Sequence, residues 1–351
     1  MKGRKRKQRL INEFSWSFSR HTIFCECQKK YWYTYYGSWE GWMIFKSLSS
    51  SHGDKFSAYL YAMKNMQSIP MFVGSLVHRT IEEALKNVQQ HRIPITLESL
   101  LKKGFASLKD GIDEAKSGVW RKAPKKYLNL FEVYHTNELC DDDVAKAEEK
   151  VRNCLTNWFN SPIAQDLITA PQATWLSIEE LEKFYLDDVY KVWVVIDFAI
   201  KWKRKRGTNS VILFDWKTGA KTDLTVDQLY SYALFVSKVW NVAIDDIILT
   251  PYYLNTDIYE KIGKGQECVI SQERLNKTEE FIRSSCKNMV EKLVGKNIGD
   301  NNADVENFPY AENRRRCDRC QFVELCRAAN YEELGDSALR AIVERQLYWE
   351  E

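Results

Sequence analysis

Two short runs of β-branched and aromatic residues, 192–200 and 211–216, each carry one aspartate, Asp197 and Asp215, and nothing else polar. Runs of this kind read as strands. Between them, residues 201–206 hold five basic side chains, Lys201, Lys203, Arg204, Lys205 and Arg206, with Trp202 among them. The pattern predicts a hairpin with a basic tip. Asp215 and Lys217 stand at i and i+2, so both project from one face of their strand. The hairpin then sets Asp197 beside Asp215. Two buried like charges at close range are unfavourable unless a cation lies between them. An oxygen-rich pair with a lysine beside it suits Mg²⁺ or Mn²⁺ and an anionic substrate. Taken alone, Asp-Trp-Lys is equally an ordinary strand end entering a turn at Thr218 and Gly219.

The surroundings of the hairpin set the fold class. Residues 14–37 read as an aromatic-rich helix, and 74–90 as an amphipathic helix with Leu76, Val77, Ile81 and Leu85 at helical spacing. The segment 95–160 is charged and helical in pattern, with no strand-like run, and reads as a helical insertion. Further strands are predicted at 173–178, 183–186 and 247–254, and further helices at 223–240, 272–294 and from Asp336. Helices, then strands, then helix and strand again imply an α/β fold: a mixed central sheet flanked by helices. A chain of 351 residues with 44% hydrophobic content can bury a real core, which excludes disordered, collagen-like and coiled-coil classes. No apolar stretch approaches the length of a membrane span. Six of residues 2–9 are basic, and no apolar leader follows, so a cytoplasmic protein without membrane contact is expected. The domain reading is a basic tail over 1–13, a single domain over 14–340 and a C-terminal tail over 341–351.

Nine cysteines, an odd number, argue against a disulfide framework. Cys140, Cys154, Cys268 and Cys286 are isolated and read as small buried apolar residues. Cys317, Cys320 and Cys326 form a C-x2-C-x5-C cluster within 308–330, and Cys25 and Cys27 lie far away near the N-terminus. Clustered thiolates suit structural zinc as well as an iron–sulfur group.

The ordered set Gly74-x-x-x-His78, Ile196-Asp197, Asp215-Trp216-Lys217-Thr218-Gly219 and Gln228-x-x-x-Tyr232 resembles the PD-(D/E)XK nuclease superfamily. The closest likeness is to its RecB-like branch. The segment Phe24-Cys25-Glu26-Cys27-Gln28-Lys29-Lys30-Tyr31-Trp32 resembles that branch's F-x-x-C-P-R-K-Y-Y stretch, here with Gln28 in place of proline. With Cys317, Cys320 and Cys326 it resembles the iron–sulfur staple of AddB-type and CRISPR-associated exonucleases. A second departure is Val194, where the branch has glycine three residues before the first aspartate.

The resemblance implies a restriction-endonuclease-like core with a C-terminal Fe–S region, and it implies roles. His78, Asp197, Asp215 and the carbonyl of Trp216 would bind the catalytic metal. Asp197, Asp215 and Lys217 would carry catalysis, with Gln228 and Tyr232 contacting the DNA backbone or orienting Lys217. Cys27, or Cys25 beside it, would join Cys317, Cys320 and Cys326 around a [4Fe–4S] cluster. Glu182, or else Glu179, would supply an acid ahead of Asp197. The partner implied is DNA, as single strands or ends, with a helicase or other nucleic-acid-processing protein as companion. Lys201, Lys203, Arg204, Lys205 and Arg206 are the candidate DNA contacts. A non-catalytic DNA-end binder is the competing class; an Fe–S redox protein lacks any flavin or nicotinamide fingerprint.

Overall fold

The computed structural model describes residues 10–46, 54–136, 138–169, 174–203, 209–266, 268–299 and 302–330. In chain order these form α1 (Phe18–Glu26), α2 (Gln28–Trp32), α3 (Trp42–Lys46), α4 (Lys55–Lys64), α5 (Ile69–His91), α6 (Leu97–Ser117), α7 (Phe131–Thr136), α8 (Asp141–Asn160) and α9 (Pro162–Thr169). The strands β1 (Trp175–Leu186), β2 (Tyr190–Lys203) and β3 (Asn209–Lys217) follow, then α10 (Asp223–Val239), β4 (Ile247–Tyr253), β5 (Ile258–Tyr259), β6 (Ile262–Gly263), α11 (Gln272–Val290) and α12 (Val323–Asn330). Within the described residues the chain divides into two compact units, one drawn from 10–64, 185–192 and 282–330, the other from 65–184 and 193–281. The expected final helix from Asp336 and the 1–9 tail lie outside the described residues.

The sheet is mixed, in the order β1-β2-β3-β4-β5, with β6 also paired to β4. β2 and β3 are antiparallel, with Ile200 opposite Ile212 and Phe198 opposite Phe214. β3 and β4 are parallel, joined through α10, and place Asp215 opposite Pro251 and Lys217 opposite Tyr253. Parallel pairs need cover on both faces, and β4 is accordingly buried along nearly its whole length. Trp216 anchors this layer: its ring stacks on Phe214 at 5.4 Å and meets Trp158 and Tyr252 edge-on.

The 95–160 segment is helical, as its pattern predicts. α6 opens with a capping box between Thr96 and Ser99 and ends at Gly118 in the left-handed conformation (φ 68°). Its apolar stripe packs into the same core as α5 and α8. Gly111 is required here, because a Cβ at that position would sit 2.3 Å from the Phe72 ring.

In the other unit the expected continuous helix over 14–37 is broken at Cys27, whose backbone is extended (φ −164°). Its N–H closes α1 on Ile23 O, and its sulfur accepts from Lys30 N at 3.4 Å to open α2. The aromatic residues that follow hold the far end of the chain. Tyr31 stacks on Phe308, Trp32 Nε1 donates to Ala303 O at 2.6 Å, and Tyr33 packs on Phe322. Cys154 and Cys286 are buried as expected, but Cys140 and Cys268 are exposed. Cys140 immediately precedes the first turn of α8 and Cys268 follows β6, outside the packed elements.

Candidate active site

α5 brings the first site residue into place. It begins after Ser68 with Pro70 in its first turn, where the missing N–H costs nothing. One face of the helix is apolar and buried, while Gly74 and His78, four residues apart, share another. A Cβ on Gly74 would lie 3.1 Å from Thr218 Oγ1, so glycine lets α5 approach the turn that ends β3.

His78 Nδ1 is 3.0 Å from Glu179 Oε1 and 3.5 Å from Asp197 Oδ2. Ligand atoms of His78, Glu179 and Asp197 all lie within 4.8 Å of one another. Glu179 interrupts β1 with a left-handed backbone (φ 51°), a conformation that costs a β-region residue about 1–3 kcal/mol. The break in two-residue alternation delivers its carboxylate to the cluster, and Glu182, three residues on, is not part of it. The family resemblance favoured Glu182, just ahead of Lys183 and Phe184, and such a match carries no sign of a left-handed residue at Glu179.

Asp197 and Asp215 are 6% and 1% exposed. They lie one step beyond the paired residues Phe198 and Phe214. There Asp197 Oδ2 accepts the Trp216 N–H at 2.6 Å. Lys217 Nζ sits 2.8 Å from Asp215 Oδ2 as an ion pair, yet that oxygen is buried without a well-formed hydrogen bond.

Three carboxylates thus crowd a pocket with one lysine and one histidine, and their acidities respond. Burial pushes Asp215 up to about 6, with Lys217 opposing and Asp197 adding to the rise. Burial also raises Glu179, against the pull of His78. For His78, burial works downward, but Asp197 and then Glu179 outweigh it and hold the imidazole well above its ordinary value. Burial likewise works against Lys217, and Asp215 and Asp197 keep it charged. A buried surplus of carboxylate and an oxygen without a hydrogen bond are what a hard divalent cation would satisfy. The residues fit such an ion.

Lys217 is held on its other side by α10. Nζ donates to Gln228 Oε1 at 2.9 Å, and Gln228 Nε2 donates to Tyr232 Oη at 2.6 Å. Gln228 and Tyr232 share a helix face, but Tyr232 is 5% exposed. That burial leaves no surface for a DNA backbone, so of its two expected roles the geometry matches orientation of Lys217 through Gln228. The Trp216 ring faces the core.

On the described part of the hairpin, Lys201 and Lys203 lie four and six residues after Asp197, so strand rise sets their backbones roughly 13 and 20 Å from it. Lys201 is exposed and Trp202 is 38% exposed. The Lys203 side chain and all of Arg204, Lys205 and Arg206 lie outside the described residues.

A second constellation occupies the other unit. Cys27, Cys317, Cys320 and Cys326 line one cavity of about 220 Å³ with Tyr33, Tyr310 and Phe322. Burial pushes the Cys326 thiol up to about 12, and Cys320, Cys27 and Cys317 add to it. Cys25 is absent from this lining and is exposed, its sulfur 3.6 Å from His21 Nε2.

No helix among the described residues is long and apolar enough to cross a membrane. A search of curated proteins finds no match to the chain. The family model that describes the PD-(D/E)XK nuclease superfamily matches residues 15–327, a span that takes in α1, the His78 helix, the carboxylate strands, Lys217, α10 and Cys326. The chain belongs to the PD-(D/E)XK nuclease superfamily.

Proposed function

We propose that this protein is a divalent-metal-dependent deoxyribonuclease of the RecB-like type, acting as an exonuclease on single-stranded DNA or DNA ends. The observation that carries this reading is the meeting of half-buried His78 and Glu179 with buried Asp197 within 4.8 Å, next to the Asp215–Lys217 pair. A non-catalytic DNA binder has no physical need for so costly an arrangement.

Mg²⁺ or Mn²⁺ would be held by His78, Glu179, Asp197 and Asp215, with the Trp216 carbonyl as a further oxygen donor, and would lower the pKa of a bound water. The residues themselves do the following. Lys217, charged and half-buried, offers a fixed cation to the oxygens on which charge grows as phosphate becomes pentacoordinate. Gln228 Oε1 accepts one hydrogen bond from Nζ and so aims its remaining N–H groups, while Tyr232 fixes the Gln228 amide. The packed Trp216 ring holds the strand so that Asp215 and Lys217 share the pocket side.

The cavity ringed by Cys27, Cys317, Cys320 and Cys326 supports a [4Fe–4S] staple. Cys27 and Cys317 are 290 positions apart, so such a cluster would close a very long loop. The match over 15–327 supports reading 14–340 as one nuclease domain built from two compact units. A helicase or other nucleic-acid-processing partner and a cytoplasmic location complete the proposal.

The test is incubation of purified protein with end-labelled single-stranded DNA, with and without Mn²⁺, using oligonucleotides blocked at the 5′ or the 3′ end. Metal-dependent shortening from one unblocked end supports the exonuclease reading. Internal cleavage of doubly blocked DNA would make the enzyme an endonuclease, and no cleavage under any condition would leave the binding module.

A further inference from the structure

Besides the carboxylate site, the unit of 65–184 and 193–281 contains a polar pocket of about 320 Å³, walled by the start of α5, the middle of α6 and the 124–128 segment. The pocket falls within the size range of small-ligand sites. Ser75 and Arg79 of α5 both line it, four residues apart on one helix face. Arg79 follows His78 directly, so the pocket begins about 100° around the same helix from the residue facing Glu179 and Asp197.

The lining has unmet bonding capacity. Arg79 is exposed on the pocket side of α5 and forms no ion pair or hydrogen bond with any described residue. Lys125 is exposed at the rim and likewise unpaired. Gln67 Oε1 is buried with no donor, although the Gln67 backbone is firmly held by Asn129 O and Phe131 N–H. The acidic members do not neutralise these groups. Glu114 Oε2 accepts the Leu128 N–H at 2.9 Å, and Asp110 is exposed and acts on Lys109 outside the pocket lining. Lys126 lies over the Tyr127 ring at 4.8 Å. An exposed, unpaired guanidinium, a rim lysine, a buried amide oxygen and a tyrosine ring in one pocket match the parts of a nucleotide. The cations suit a phosphate, Tyr127 suits stacking on a base, and Gln67 suits an amino group on a base edge.

We infer that this pocket binds one nucleotide of the substrate strand next to the cleaved position, phosphate toward Arg79 and Lys125, base against Tyr127 and Gln67. The inference rests on the nuclease reading for the identity of the strand. It assigns a role to the helical insertion: α6 and the 124–128 segment form two walls of the pocket, and α5 forms the third.

The experiment has an arm that does not need cleavage. Single-stranded oligonucleotides carrying 5-iodouracil at successive positions are photocross-linked to the full-length protein in EDTA, and the adducts are mapped by mass spectrometry. Adducts at Tyr127 from one or two adjacent positions are expected. In parallel, Arg79→Gln and Lys125→Gln are titrated with the same oligonucleotide across a salt series. Each should reduce the slope of log K against log salt by about 0.7, the value of one single-strand phosphate contact, and Arg79→Gln should raise KM for cleavage. Lys125 is exposed, so its variant carries no folding risk. Adducts confined to other regions, with parental slopes in both variants, would overturn the pocket assignment while a cleaving parent protein kept the nuclease reading. Adducts at Tyr127 in a protein that cleaves nothing with Mn²⁺ would do the reverse.

Discussion

Glu179 Oε1 lies 3.0 Å from His78 Nδ1, a contact between two residues 101 positions apart that depends on a left-handed backbone at Glu179. The strain at that residue is the structural sign that its carboxylate is held in place rather than left to rotate. Glu179→Gln keeps the shape and removes the charge. It should weaken Mn²⁺ binding at least tenfold, measured by calorimetry, and lower cleavage in parallel. Glu182→Gln should bind Mn²⁺ as the parent does; equal losses in both variants would disprove the assignment.

The acid–base properties of the cluster make the metal-free protein pH-sensitive in a definite direction. Asp215 moves from 3.8 to about 6 on folding, so between these values the native state holds the extra proton and stability falls as pH rises. His78 acts in the same sense at higher pH: its contribution is full below about 6.5 and is lost as pH rises through its raised folded value. Metal-free Tm should therefore decline from pH 4 upward across these windows. Mn²⁺ competes with those protons, so the gain in Tm on adding it should grow with pH. A Tm gain independent of pH would contradict the site.

The Lys217–Gln228–Tyr232 chain separates chemistry from binding. Lys217→Met should lower kcat by about 10²-fold or more with DNA affinity retained, as expected for loss of charge stabilisation. Tyr232→Phe removes the acceptor of the Gln228 amide but touches no solvent, so its effect should be smaller, on kcat and not on KM. A rise in KM alone would restore Tyr232 as a DNA contact.

Iron analysis distinguishes the two N-terminal cysteines. Cys27→Ala should lose iron and visible absorption together with thermal stability, because α1, α2 and the 308–326 segment pack on one another. Cys25→Ala should retain all three. Zinc without iron after anaerobic purification would refute the cluster.

The strand rise from Asp197 to Lys203 predicts a length effect. Replacing Lys201, Lys203, Arg204, Lys205 and Arg206 by glutamine should leave cleavage of trinucleotides at the parental rate. Long single strands should lose affinity, with the salt slope reduced by about 2 if three phosphates are contacted. Loss on trinucleotides as well would bring the tip to the site.

The sequence alone determined most of the elements and the local spacings of the candidate site residues. The apolar runs around Asp197 and Asp215 specified buried strands, because a backbone without polar neighbours must pair with another strand. The i, i+2 and i, i+4 spacings placed Asp215 with Lys217 and Gln228 with Tyr232, because strand and helix periodicities are local properties. The tertiary structure decided what no periodicity records. It selected Glu179 over Glu182 through one left-handed residue, and it broke the 14–37 helix at Cys27, whose backbone ends one helix while its sulfur begins the next. It buried Tyr232, and the length of β2 carried Lys203 six residues past Asp197. It also formed the Arg79–Gln67–Tyr127 pocket from α5, α6 and the 124–128 segment, which only the packing of the helical insertion brings together.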